Sequence, residues 1–119
     1  MTMAKKPQKG LTLDVRKAGA AAVVEISGSA DIRESPKLQR ALEELAACRT
    51  ALIVLDLSAM EFICSQGLGA IITGHLKSRH HKGQIRLVNP QPAVRELLET
   101  TRLTKLFPIF SSLDQALAS

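Results

Sequence analysis

The run ALIVLDL, residues 51–57, is aliphatic at every position but one. An aliphatic run that does not alternate with polar residues marks a strand buried on both faces, as in the middle of an α/β sheet. The remaining chain must therefore supply neighbouring strands and covering helices. The only aromatic residues of the Phe, Trp and Tyr class are Phe62, Phe107 and Phe110, so the core has to be aliphatic. With 119 residues and 45% apolar content, one domain with a real core is expected.

The flanking patterns fit that demand. LTLDVRK (11–17) alternates, AGA breaks the alternation and AVVEISG (22–28) resumes it, which predicts two strands joined by a turn. SADIRESP (29–36) reads as a loop in which Ser35 caps a helix and Pro36 takes its first position. Across residues 37–49, Leu38, Ala41, Leu42, Leu45 and Cys48 fall on one helical side. After the 51–57 strand, Leu68, Ile71, Ile72 and Leu76 form the stripe of a helix from Ser65 to about Arg79, and HHKG turns the chain. QIRLV (84–88) is a short strand, and residues 89–101 carry a helix with Pro92 near its start and Val94, Leu97 and Leu98 as its buried side. KLFPIF (105–110) is a short strand in which Pro108 marks an edge or a bulge. SSLDQALA (111–118) closes with a helix whose Ser112 and Gln115 fit a capping box. The order β-β-α-β-α-β-α-β-α predicts a single α/β domain over residues 11–119, with a mixed, mainly parallel sheet of about five strands and about four helices. Residues 1–10, with Lys5, Lys6 and Lys9, are expected to be a flexible basic tail.

Composition limits the function. Net charge is +5, and seven basic residues lie between Lys77 and Lys105 against Glu96 and Glu99. With no aromatic residues interleaved for base stacking, solubility accounts for this charge better than nucleic acid does. No apolar stretch approaches the ~20 residues of a membrane helix, and the N-terminus lacks an apolar signal region. Cys48 and Cys64 are isolated, as reduced thiols are in a cytoplasmic protein. His75, His80 and His81 lack metal-ligand spacing, GxGxxG is absent, and no metal or cofactor is expected. Cys64 has no base nearby, since His75 lies ~15 Å along the same helix. A buried, inert thiol is the better reading, and no enzyme is expected.

The chemistry-bearing stretch is CSQGLG, residues 64–69. In parallel sheets, sites gather where strands end and helices start, and GSAD (28–31) is a second such point. Ser65 is either a helix cap, worth ~1 kcal/mol, or a phosphate acceptor, whose modification adds about −1.5 to −2 charge. Gly67 and Gly69 each cost a helix about 1 kcal/mol, so they serve close packing or a partner's close approach. Asp31 is a turn residue or an acidic contact. Asp56 is an acid at a strand's end, bonded to loop amides. The outer face of the Ser65 helix offers Thr73, Lys77 and Ser78.

LIVLDLSAMEFICSQGLGAII (52–72), ISGSAD (26–31) and LVNPQPAVRELLETTRLTKLFPIFSSLDQAL (87–117) together carry a resemblance. The chain resembles STAS domains of the anti-sigma factor antagonist family, across residues 11 to 118 in the same order. It departs from that pattern at Cys64, where the family has Asp, and at Gln66, where it has a second Ser or a small residue. The resemblance implies a bacterial cytoplasmic binding module that regulates transcription by partner switching. It would bind a serine-kinase anti-sigma factor, lose it on phosphorylation at Ser65, and be reset by a PP2C-type phosphatase. The implied partner-binding residues are Asp31, Cys64, Ser65, Gln66, Gly67 and Gly69, joined by Thr73 and Lys77 on the helix. A monomer is expected. The alternative is a non-phosphorylated STAS adaptor subunit in a larger signalling or transport complex, which the departures at Cys64 and Gln66 favour.

Overall fold

A computed structural model of the chain describes residues 10–118, so the tail expected over residues 1–10 lies outside the described residues apart from Gly10. The elements are β1 (Leu11–Ala18), β2 (Ala21–Ala30), α1 (Ser35–Ala47), β3 (Leu52–Ile63), α2 (Ser65–Arg79), β4 (Gln84–Val88), α3 (Pro92–Thr100), a 3-10 helix (Leu103–Lys105), β5 (Ile109–Phe110) and α4 (Leu113–Ala118). They form one five-stranded sheet in the order β1-β2-β3-β4-β5. Only the β1–β2 pair is antiparallel; the other pairs are parallel, as the strand–helix alternation predicts.

The central run is buried on both sides for an identifiable reason. Ile53 and Leu55 of β3 join Ala22, Val24 and Ile26 of β2 under Leu38, Leu42 and Leu45 of α1 and Leu68 and Ile71 of α2. Val54 points the other way, where Val23, Val88 and Ala116 of α4 enclose it. β3 continues past Leu57 to Ile63, further than the aliphatic run indicates. The β2–β3 register slips between Glu25 and Ser27 and again between Gly28 and Ser29. Gly28 has φ +93°, and a Cβ there would run into the carbonyl oxygen of Gly10, so the second slip requires glycine.

Several local expectations are corrected. Cys48 is exposed beyond the end of α1, and Ala46 is buried in its stead. Leu76 is 54% exposed. Beside Leu68 and Ile71, α2 buries Gly67, Ala70, Gly74 and Ser78. The cause is the tight α1–α2 approach: a Cβ on Gly74 would come within 3.1 Å of Leu42 Cβ. A face made of Gly, Ala and Ser carries no apolar periodicity, so pattern alone misplaces it.

Ser35 does not cap α1. Its hydroxyl is buried and donates to the Asp31 carbonyl at 2.7 Å. Asp31 serves the turn instead, with Oδ1 accepting the N–H groups of Arg33 and Glu34, each at 3.0 Å. In the KLFPIF segment only Ile109 and Phe110 pair with β4, while Lys105 ends the 3-10 helix and Phe107 is fully buried. α4 shows the first half of the expected capping box, since Ser112 Oγ accepts the Gln115 N–H at 3.2 Å. Gln115 Oε1 reaches one residue further back, to the Ser111 hydroxyl at 2.9 Å.

Candidate functional site

β2 and β3 run parallel, so their C-terminal ends emerge together, and Ala30 pairs with Ile63 at that edge. The Cys64 N–H then donates to the Ala30 carbonyl at 3.0 Å. This pairing brings the GSAD and CSQGLG segments together. Asp31, Ile32, Arg33, Phe62 and Cys64 line a shallow hollow of about 310 Å³ between them. Glu34 anchors the loop from behind by accepting the Leu11 N–H at 2.9 Å and pairing with Lys37 at 3.0 Å. These two partners hold its carboxyl below the ordinary range.

Ser65 is the first residue of α2, and the N-cap is Cys64, in an extended conformation with φ −92° and ψ 176°. Ser65 is exposed, and its hydroxyl makes no hydrogen bond among the described residues. Of the two readings left open by the sequence, the cap is therefore the one the geometry does not support. The N–H groups of Gly67 and Gln66 face the Cys64 sulfur without closing a cap hydrogen bond. Partial burial works to raise the Cys64 pKa, but the Ser35 hydroxyl and those N–H groups outweigh it, and the thiol lies below its usual range. Cys64 is thus half-buried, not fully buried as expected.

The two site glycines differ. A Cβ on Gly67 would stand 2.6 Å from Ile63 Cγ1 and 3.3 Å from the Ala30 carbonyl oxygen, so Gly67 is needed by the fold. A Cβ on Gly69 would meet nothing within 4 Å. Gly69, Gln66 and Thr73 line a second hollow, of about 450 Å³, with Ser35, Pro36 and Gln39 of α1. Lys77 is exposed further along α2 and reaches Glu43 of α1 at 3.5 Å. Ser78, expected on the outer face, is fully buried. Asp56 lies within β3, where Oδ1 accepts the N–H of Ser58 at 3.1 Å and its hydroxyl at 2.7 Å. It shapes the strand irregularity there and stands well up the strand from Ser65. His81, in the turn after α2, lies 2.9 Å from the Thr50 carbonyl through Nε2 and ties that turn to the residues before β3.

Ile32 and Phe62, 66% and 50% exposed, were not singled out by sequence reasoning. Each left a signal: Ile32 is the one large apolar residue in the polar SADIRESP loop, and Phe62 alternates with the core residue Ile63 on a strand. Among the described residues, no group of three or more His, Cys, Asp or Glu side chains could hold a metal ion. No described helix is long and apolar enough to cross a membrane.

The STAS domain family profile matches residues 12–116. The anti-sigma-F factor antagonist RsfB of Mycobacterium tuberculosis is 30% identical over 107 residues, covering 90% of this chain and 87% of that protein. The crystal structure of an anti-sigma factor antagonist from Mycobacterium paratuberculosis matches with TM-score 0.83 at 33% identity, over 91% of this chain and 92% of the other. The Bacillus cell fate determinant SpoIIAA in its phosphorylated form shares the fold, with TM-score 0.72 at 15% identity over 88% and 96% of the two chains. Since the family match runs from β1 to α4, this chain belongs to the STAS domain family.

Proposed function

We propose that the chain is an anti-sigma factor antagonist, a binding module without catalysis of its own, whose hold on a serine-kinase anti-sigma factor ends when Ser65 is phosphorylated. The observation that carries this reading is the free, exposed hydroxyl of Ser65 at the first position of a 15-residue helix, with the capping position left to Cys64. The anti-sigma factor antagonists among its relatives support the partner class.

The kinase would transfer the terminal phosphoryl group of ATP to Ser65 Oγ, forming an Oγ–P bond as the β–γ bridge breaks and the hydroxyl proton passes to the kinase base. The product adds about −1.5 to −2 charge. The helix N-terminus favours that charge locally through its dipole and free N–H groups, so the fold tolerates it. A docked partner does not, because it must desolvate a dianion at the contact. Asp31, Gln66, Gly69, Thr73 and Lys77 extend the contact from the Asp31 loop along α2, while Cys64 and Gly67 set the helix start. A PP2C-type phosphatase would hydrolyse the Oγ–P bond and restore binding in the cytoplasm.

The second reading is a constitutive adaptor that ignores phosphorylation. Cys64 favours it, since no carboxylate stands next to Ser65 to guide a kinase. The deciding experiment measures affinity of wild type, Ser65→Ala and Ser65→Asp for the purified serine-kinase anti-sigma factor of the source organism, with mass spectrometry after ATP is added. At least a tenfold loss for Ser65→Asp, retention for Ser65→Ala and phosphate on Ser65 are expected. Equal affinities and no phosphate would leave the adaptor reading.

A further inference from the structure

Five large hydrophobic side chains are markedly exposed among the described residues: Val15, Ile32, Phe62, Leu76 and Leu106. Two of them, Ile32 and Phe62, share the hollow that Asp31 and Cys64 line beside Ser65. Phe62 also forms a wall of a neighbouring hollow of about 220 Å³, with Ile63, Val94 and Leu97. Both side chains are held outward by the backbone. The Asp31 turn, closed by its Oδ1 bonds to Arg33 and Glu34, projects Ile32. Strand alternation puts Phe62 outside because Ile63 is 3% exposed in the core. Neither residue is needed to fill the interior, and a folded chain gains nothing from leaving such side chains in water.

The charges of the hollow are unequal. Asp31 spends Oδ1 on two N–H groups, and Glu34 behind it is engaged by Leu11 and Lys37. Arg33 is exposed, and its guanidinium forms no salt bridge among the described residues. The surface is therefore an apolar floor with an exposed cation at its edge that forms no salt bridge among the described residues, although its charge also acts on Glu34. Its complement is an apolar side chain with a carboxylate next to it.

We infer that this hollow is the anchor of the partner interface: it receives an apolar side chain of the anti-sigma factor between Ile32 and Phe62, with a partner carboxylate on Arg33. The inference rests on the function proposed above and adds to it the residues that supply affinity. Binding energy at such contacts concentrates in a few residues seated in well-packed, desolvated pockets, with arginine among the enriched types. The placement also couples the anchor to the switch. A phosphate on Ser65, one residue from Cys64 at the wall of the hollow, adds negative charge beside it and repels the partner's carboxylate.

The test is titration calorimetry of the full chain against the purified, serine-kinase anti-sigma factor of the source organism, at two salt concentrations. Ile32→Ser and Phe62→Ser should each weaken binding at least tenfold. Arg33→Glu should weaken it at least tenfold and alter its salt dependence. Val15→Ser and Leu106→Ser, exposed apolar residues outside the hollow, should stay within twofold of wild type. Ile32 is exposed enough that its substitution leaves the core intact, and thermal melts verify this. If wild type binds but the Ile32, Phe62 and Arg33 variants bind equally well, or the two control variants weaken binding as much, the anchor is overturned and the proposed function stands. If wild type binds no serine-kinase anti-sigma factor, both fall.

Discussion

The Ser35 hydroxyl lies 3.4 Å from the Cys64 sulfur, across the junction between the first turn of α1 and the start of α2. The same hydroxyl donates to the Asp31 carbonyl at 2.7 Å while the thiol is neutral, and its single proton can turn to the sulfur when Cys64 ionises, so one small side chain links the Asp31 loop, α1 and the capping residue of α2. Burial works against ionisation of Cys64, but Ser35 and the N–H groups of Gly67 and Gln66 hold its pKa below the ordinary value. The unfolded chain therefore keeps its thiol proton to higher pH than the folded chain does. Between the two pKa values the unfolded state binds more protons, so stability rises with pH in the window just below the unfolded cysteine value of about 8.5. Urea unfolding from pH 6.5 to pH 9 should show this rise in wild type and its loss in Cys64→Ser. Ser35→Ala should reduce it. Parallel pH profiles for wild type and Cys64→Ser would refute the linkage.

The two glycines of CSQGLG should separate in mutagenesis. Gly67→Ala forces a Cβ against Ile63 Cγ1, which is packed in the core, and against the backbone carbonyl oxygen of Ala30. A loss of about 1–3 kcal/mol of stability is expected. Gly69→Ala enters open space within the helix. It should gain about 0.5–1 kcal/mol from helix propensity. If Gly69 is kept small for a partner, the same variant binds the anti-sigma factor more weakly while melting higher. A stabilised Gly69→Ala that binds normally would remove Gly69 from the interface.

The fold was legible in the sequence where residues have one role. Ile53, Val54 and Leu55 are core from any viewpoint, and their run announced a doubly covered strand. The helix of residues 92–100 was equally plain, with Val94 and Leu98 buried as spaced. α2 was legible in extent but not in facing. Its buried side includes Gly67, Ala70, Gly74 and Ser78, chosen for a narrow gap against α1, and Leu76 faces out. Hydrophobic spacing reports transfer from water and not steric room, so it cannot see such a face. The site shows the same division. Ser65 and Asp31 stood out through their placement at strand ends, but the nature of Ser65 depended on which residue capped α2. Ile32 and Phe62 left only weak signals, because an exposed apolar side chain and a core side chain are the same letter. Only the 3-D path of the Asp31 turn and of β3 tells them apart.

His75 gives a second handle on pH, of the same sign as Cys64 but in a more acidic window. Neither of its ring nitrogens has a hydrogen-bond partner, and its ring meets Phe107 edge-on at 5.2 Å and 77°. Burial lowers its pKa, and Arg79 on the same helix lowers it further. The hollow it lines with Arg79, Gln84, Leu106 and Pro108 has no carboxylate to counter this. Below the unfolded histidine value of about 6.5, the unfolded chain takes up a proton that the folded chain resists, so stability falls on acidification. Urea midpoints at pH 7.5 and pH 5 should show the fall. His75→Phe keeps the ring packing and removes the titration, so its midpoint should change less between the two pH values. An equal change in both proteins would assign the acid sensitivity to other groups.

Lys77 tests how far the interface extends along α2. Its ammonium is 3.5 Å from Glu43 Oε2, with both side chains substantially exposed. Exposed pairs of this kind add little to stability, so Lys77→Glu should leave the melting temperature nearly unchanged. Its effect on binding has two separable sources. The lysine either presents its charge to the partner or acts by fixing Glu43 and the α1–α2 edge. The double variant Lys77→Glu/Glu43→Lys restores the ion pair with its sense reversed. If the outward charge matters, the single variant weakens binding about three- to tenfold, mainly through slower association, and the double variant does not recover. Recovery in the double variant would assign the effect to the ion pair. Wild-type affinity in the single variant would confine the contact to the helix start, around Ser65, Gln66 and Gly69.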